Sequence, residues 1–109
     1  MAASALAGGP GFISQRILID QYEKHGREFG NIKMPTYLQL AQQLRDSKPG
    51  RNILEARRPG GGGAKFDRKY GYFVLYEGDG AIRMFFIPAE GVRYFDRQAH
   101  VWQDMAARR

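Results

Sequence analysis

Residues 66–88 read FDRKYGYFVLYEGDGAIRMFFIP, and this stretch decides the fold. It contains two runs rich in aromatic and aliphatic residues, at 72–76 and 81–87, on either side of the short segment Gly78-Asp79-Gly80. Two such runs joined by a glycine-containing turn are typical of a β-hairpin. We therefore expect two antiparallel strands here.

Alternation of polar and apolar residues extends the sheet toward the N terminus. It runs through 53–58 and 64–67, with the glycine run 60–63 between them. That run lacks the strand-to-helix setting and the Lys-Ser/Thr pair of a phosphate-binding loop, so we expect a mobile hairpin tip. Three cations that flank it are candidate contacts for a phosphate backbone: Arg57, Arg58 and Lys65. Toward the C terminus, 92–102 fits either a last strand or a short helix.

Two helices are expected before the sheet. Ser14 can cap the first, and its apolar positions recur every three or four residues, which marks one helix face. These positions are Ile17, Leu18, Tyr22, His25 and Phe29. The second helix is expected to start at a capping box formed by Thr36 and Gln39 and to run to about Ser47. The sequence thus predicts an α+β domain, with two N-terminal helices packed on a twisted antiparallel β-meander of about four to five strands.

The length of the chain favours one domain, since 109 residues suffice for a single core. Residues 1–11 are rich in small side chains, and we expect a linker or the remnant of a delivery region there. Residues 12–109 then form the single domain, whose last residues, MAARR, are expected to fray. No stretch has the features of a signal peptide or the length of a membrane-spanning segment.

The chain is strongly basic. Seventeen Lys and Arg residues against eleven Asp and Glu give a formal net charge of +6. In so small a domain this excess indicates a polyanionic partner, although it could serve solubility alone. The chain has no cysteine and only two histidines, so we expect neither a metal centre nor another cofactor. Any hydrolysis would then depend on side chains.

His25 is the histidine with a chemically suggestive context, because Lys24 precedes it and an imidazole exchanges protons near neutral pH. The alternative is a core histidine that bonds a backbone carbonyl. Arg83 is the candidate phosphate clamp if its side of the strand faces His25, and a solvated arginine otherwise. Strand alternation would place Arg83 on the face opposite Ile82 and Met84.

The segment KHGREFG at 24–30, followed by a short helix and then by 66–88, resembles the colicin D-like ribonuclease toxins. These belong to the barnase/EndoU/colicin/RelE-like class of small nucleases. The similarity spans about residues 20–94. The chain departs from the family pattern at Met84, where Ser or Thr is usual, and at Ile87, where Lys is common.

The resemblance implies that the domain is the C-terminal payload of a larger secreted bacterial toxin used in interbacterial competition. It implies that the domain cleaves tRNA in the cytoplasm of a target cell and is blocked by an acidic immunity protein. By the same resemblance, His25 is the acid-base residue, Lys24 contacts the phosphate or the transition state, and Phe86 lies near the scissile bond.

We therefore expect a metal-independent endoribonuclease in which the 2′-hydroxyl attacks the adjacent phosphate. Three alternatives remain open. The first is a non-enzymatic RNA- or DNA-binding module, which the charge and the aromatic-rich sheet also fit. The second is a toxin of different chemistry, such as a transferase, on a similar scaffold. The third is a basic domain that binds an acidic protein.

Overall fold

The computed structural model describes residues 9–108, which form three α-helices and one four-stranded sheet. The predicted α+β class is confirmed. In chain order the elements are α1 (Gln15–His25), a 3₁₀ helix (Gly26–Phe29), α2 (Met34–Asp46), β1 (Ile53–Arg57), β2 (Gly63–Asp67), β3 (Tyr72–Tyr76), β4 (Ile82–Phe86) and α3 (Val92–Ala107). No helix within residues 9–108 combines the length and the apolar composition needed to cross a lipid bilayer.

The C-terminal segment resolves the choice that the sequence left open. Residues 92–102 belong to helix α3, so the sheet has four strands. Helix α3 includes the first three residues of MAARR and ends at Ala107, and the expected fraying of this segment stays a prediction. The expected linker at 1–11 lies partly outside the described residues. Its end, however, contacts the sheet, since Gly11 O accepts a hydrogen bond of 2.9 Å from Ile82 N.

The sheet is an antiparallel meander in the order β1-β2-β3-β4, with hairpin turns where the sequence predicts them. One irregularity separates β3 from β4. Tyr76 pairs with Ile82 but Leu75 pairs with Met84, so Arg83 is an extra residue in the strand. Ile82 and Met84 therefore lie on opposite faces of the sheet, and the expectation that they share a face is wrong.

Helices cover both faces of the sheet. One face packs on α1 and α2, and the buried residues of this cluster are Leu18, Tyr37, Ala41, Leu44, Val74, Ile82 and Phe85. The other face packs on α3, with Ala64, Phe66, Phe73, Phe95 and Trp102 buried. Tyr37 is fully buried between the two N-terminal helices and the sheet, and its hydroxyl donates to Phe85 O. Burial raises the pKa of this phenol well above its ordinary value.

The start of α1 agrees with the sequence, and the start of α2 does not. Ser14 Oγ accepts a hydrogen bond of 3.1 Å from Ile17 N, which confirms the predicted cap. The capping box at Thr36 is wrong because α2 begins two residues earlier, at Met34, with Lys33 in the cap position. Pro35 explains the shift, since proline is well tolerated in the first turn of a helix.

Candidate active site

Helix α1 and strand β4 run in the same direction, and this sets where His25 lies. Phe12, just before α1, forms a parallel bridge with Ile82 at the start of β4. Beyond His25, the Oε1 atom of Glu28 accepts a hydrogen bond of 2.9 Å from Ile87 N, just after β4. The end of α1 is therefore held against the end of β4. We call this region, with His25, Glu28 and Phe86, the histidine end of the sheet.

The imidazole of His25 is held by a carboxylate and an aromatic ring. Its Nδ1 lies 2.8 Å from Glu28 Oε2, and its ring stacks on Phe86 with centroids 5.0 Å apart. Because a carboxylate only accepts, Nδ1 carries the hydrogen in this contact. The partner of the imidazole is therefore a side-chain carboxylate and not a backbone carbonyl.

The second ring nitrogen of His25 remains available for chemistry. Nε2 has no hydrogen-bond partner among residues 9–108 and is not fully buried, and the side chain is 17% exposed. A carboxylate that accepts from Nδ1 fixes the tautomer in which Nε2 offers a lone pair. This is the arrangement that a general base requires.

Glu28 was not singled out in the sequence. Its carboxylate joins α1 to β4, because one oxygen contacts the imidazole and the other accepts from Ile87 N. The signal available in the sequence was the spacing, since side chains three residues apart are neighbours on a helix. Here that proximity persists across the change from α1 to the 3₁₀ helix.

The structure brings His25 and Phe86 together, and it leaves Lys24 exposed beside them. Phe86 is fixed by edge-to-face contacts with Phe73 and Tyr94, whose ring centroids lie 5.5 and 5.2 Å away. The ring of Phe86 therefore presents a supported surface to His25. Two of the candidate residues, His25 and Phe86, are thus in contact at the histidine end, and Lys24 adjoins His25 in sequence.

Two other candidates gather at the opposite end of the sheet, near the β1–β2 and β3–β4 turns. Arg58 Nη2 and Arg83 Nη1 donate to the two oxygens of Glu77, at 2.6 and 2.9 Å. Hydrogen bonds from Arg58 and then Arg83 hold the pKa of this carboxyl below its ordinary value. We call this region, with Arg58, Glu77 and Arg83, the arginine end.

Arg83 does not face His25. Arg83 and Phe86 are three positions apart, which corresponds to about 10 Å along a strand. Its guanidinium points away from that ring, toward Glu77 at the end of β3. The expected clamp of Arg83 over a phosphate held by His25 is therefore not formed.

The remaining two candidates differ in exposure. Arg57 has a side chain that is 84% exposed and lies 3.7 Å from Glu55, so it is open to a ligand. Lys65 is 7% exposed, and its Nζ donates to the carbonyls of Arg45 and Ser47 at 2.6 Å each. Lys65 caps the C terminus of α2, so its expected role as a backbone contact for RNA is corrected to a structural one.

Burial is the main influence on the ammonium of Lys65 and lowers its pKa below the ordinary value. The nearby carboxylates of Glu55 and Asp46 oppose this effect. The pattern within β2 did not predict this burial, because lysine side chains are normally exposed.

A cleft of about 460 Å³ lies near the arginine end, but its charge does not suit a phosphate backbone. Four carboxylates line it beside two arginines: Asp46, Glu55, Glu77 and Asp79, with Arg45 and Arg57. Tyr76 also lines it, and burial raises the pKa of that phenol to about 12, with a further contribution from Glu55. An acidic lining repels a polyanion, so we place the candidate active site at the histidine end.

Comparison with known proteins adds no assignment, because no family model matches the chain and no curated protein has a significantly similar sequence. Within residues 9–108, no three His, Cys, Asp or Glu side chains lie together as metal ligands would. The functional argument therefore starts from the geometry around His25.

Proposed function

We propose that this chain is an endoribonuclease toxin domain in which His25 is the acid-base residue and no metal takes part. The observation that carries the proposal is the contact between His25 Nδ1 and Glu28, which leaves Nε2 unbonded and not fully buried at the end of α1. The likeness of KHGREFG to the colicin D-like toxins supports the same residue.

The chemistry requires one proton acceptor beside the 2′-hydroxyl of a ribose. Nε2 of His25 takes the 2′-hydroxyl proton, and the resulting oxygen attacks the adjacent phosphorus. The P–O5′ bond breaks, the 5′ oxygen takes a proton from solvent, and the other fragment ends in a 2′,3′-cyclic phosphate. A positioned base contributes roughly 10²- to 10⁴-fold to such a step.

Positive charge supports RNA as the substrate. The net charge of +6 attracts a polyanion, and Lys24 lies exposed next to His25 at the end of α1. We assign Lys24 to the phosphate at the cleavage site. Arg57 lines the acidic cleft at the arginine end, so its expected contact with the backbone stays a prediction. Because Glu77 engages both Arg58 and Arg83, we give these two residues no part in the chemical step.

The family likeness extends the proposal to the biology. The substrate is then tRNA, and the domain is delivered by a larger secreted toxin into the cytoplasm of a competing bacterium. An acidic immunity protein would neutralise it, since opposite charges speed and orient association. A cognate inhibitor of this kind would cover the histidine end.

The test is cleavage of purified tRNA in the presence of a chelator, followed by analysis of the fragment ends. We expect wild-type protein to produce 2′,3′-cyclic phosphates and His25→Ala to produce none. His100→Ala is the matched control, because that imidazole lies exposed on α3 and should be dispensable. RNA binding without products would favour a non-enzymatic binding module, and loss of cleavage on chelation would contradict the metal-free chemistry.

A further inference from the structure

The turn between β2 and β3 presents an aromatic side chain to solvent. Tyr70 is 58% exposed, more than any other large apolar side chain among residues 9–108. The turn itself is ordered by Asp67, whose Oδ1 accepts hydrogen bonds from Lys69 N at 2.8 Å and Tyr70 N at 3.3 Å. An exposed tyrosine on a fixed turn is a ready surface for stacking.

The ring of Tyr70 has the surroundings of a base-stacking platform. It stacks on Tyr72, with centroids 5.4 Å apart and planes 26° apart, which fixes its orientation. The Lys69 ammonium lies 5.3 Å from the ring centroid, and Arg68 is exposed next to it. Proteins that bind single-stranded RNA combine such rings, which stack on bases, with cations that contact the backbone.

A cleft of about 440 Å³ opens between this turn and α2. Its walls are both apolar and polar: Leu40, Gln43, Leu44 and Ser47 from α2, with Asp67, Tyr70 and Tyr72 from the sheet. The volume lies in the range of small-ligand sites, which combine apolar walls with a few polar groups. The exposed amide of Gln43 can both donate to and accept from a base edge.

The turn adjoins the histidine end. A methyl group on Gly71 would lie 3.7 Å from Ile87 Cγ2, and Ile87 N donates to Glu28, the partner of His25. Tyr72 also contacts Phe29, in the 3₁₀ helix that follows His25, with ring centroids 4.9 Å apart. A strand of RNA that reaches His25 therefore has the turn and its cleft beside it.

We propose that a nucleobase of the RNA, from a nucleotide flanking the scissile bond, stacks on Tyr70 and enters this cleft. Lys69 and Arg68 contact the phosphates of that nucleotide. The inference rests on the proposed ribonuclease function and adds to it the site that holds the substrate next to the reacting bond. Loss of one stacking ring is expected to weaken binding roughly 5- to 150-fold.

The experiment measures binding of a fluorescently labelled RNA oligonucleotide spanning the mapped cleavage position, using His25→Ala protein so that the RNA stays intact. Adding Tyr70→Ala should weaken binding within the stated range, whereas Tyr70→Phe, which keeps the ring, should change it less than twofold. Equal thermal midpoints for the three proteins would show that the fold is retained. Equal affinity of the Tyr70→Ala and Tyr70→Phe proteins would overturn the inference.

A second arm identifies the base. Two oligonucleotides are compared, each with an abasic site on one side of the cleavage position. One of the two should bind the His25→Ala protein, which keeps Tyr70, more weakly than the intact oligonucleotide does. That loss should vanish in Tyr70→Ala, because two changes that remove the same contact are not additive. If each abasic site weakens binding by the Tyr70→Ala protein as much as it weakens binding by the protein with Tyr70 intact, the inference is overturned.

The two proposals fail in different ways. His25-dependent cleavage that is indifferent to Tyr70 would leave the ribonuclease function standing and remove the stacking site. Tyr70-dependent binding by a protein that cleaves no RNA would remove the ribonuclease function and the place of the base beside a scissile bond, and would leave only a base-stacking site. Absence of any RNA binding would remove both.

Discussion

The two ends of the sheet use carboxylates in opposite ways. At the histidine end, Glu28 accepts a hydrogen bond from one imidazole nitrogen of His25 and leaves the other without a partner. At the arginine end, Glu77 binds Arg58 and Arg83, one with each oxygen. The first carboxylate holds one nitrogen of an imidazole and leaves the other unbonded, and the second neutralises two cations that could otherwise bind phosphate.

The difference shows why an excess of positive charge does not by itself locate a nucleic-acid site. Five cations were candidates from the sequence, yet three of them are engaged within the protein: Arg58, Arg83 and Lys65. Lys24 and Arg57 remain exposed. Whether a cation can bind phosphate therefore depends on whether a group of the protein already engages it.

The largest effect is expected at His25. The change His25→Ala should lower the single-turnover rate of RNA cleavage roughly 10²- to 10⁴-fold, because it removes a positioned proton acceptor. The measurement is the rate at saturating protein, with the His100→Ala protein as the control. A loss below tenfold, or an equal loss in the control, would place the chemistry elsewhere on the molecule.

Lys65 should affect stability rather than cleavage. Lys65→Met removes buried charged hydrogen bonds to two carbonyls at the end of α2, which should cost about 2–4 kcal/mol. The measurement is denaturant unfolding, with Lys48→Met as a control because that lysine is exposed. A Lys65→Met protein of unchanged stability would contradict the structural role, as would a folded variant with impaired RNA binding.

Glu28 should act through the orientation of His25. The change Glu28→Gln keeps an acceptor for Ile87 N but removes the charge that holds Nδ1, so cleavage should slow about 10- to 100-fold. The loss should fall on kcat with KM little changed, since Glu28 is not assigned to the RNA. A variant with raised KM and normal kcat would show instead that Glu28 shapes the binding surface.

The smallest effect is expected at Arg83. The change Arg83→Ala should leave the salt dependence of RNA binding unchanged, because its guanidinium already binds Glu77. The change Lys24→Ala should reduce the slope of log affinity against log salt by about one, as expected for one lost phosphate contact. A reduced slope for Arg83→Ala together with an unchanged slope for Lys24→Ala would contradict the roles assigned to the two ends.

The sequence predicted the fold well wherever local pattern decides it. The four strands lie within one or two residues of the predicted runs, because alternation and glycine turns are local signals. The start of α2 was misplaced because Pro35 and Thr36 give competing signals for a first turn. The bulge at Arg83 was also missed, since the register between strands depends on both partners.

For the candidate site, the sequence named His25 and Phe86 but not their contact, which depends on α1 running parallel to β4. The expected place of Phe86 near a scissile bond stays a prediction. The burial of Lys65 and the pairing of Arg83 with Glu77 are tertiary contacts, about which alternation within a strand carries no information. Glu28 and Tyr70 became candidates only once their neighbours were known.

The central claim is that Nε2 of His25 faces bound RNA while Glu28 holds Nδ1. Nitrogen NMR of ¹⁵N-histidine-labelled protein tests it directly, because the chain has only two imidazoles. At a pH where both rings are neutral, we predict the Nδ1–H tautomer for His25. A 2′-deoxy substrate analogue should then shift the His25 Nε2 signal and leave His100 unchanged. A proton on Nε2, or a His25 signal indifferent to the analogue, would contradict the account.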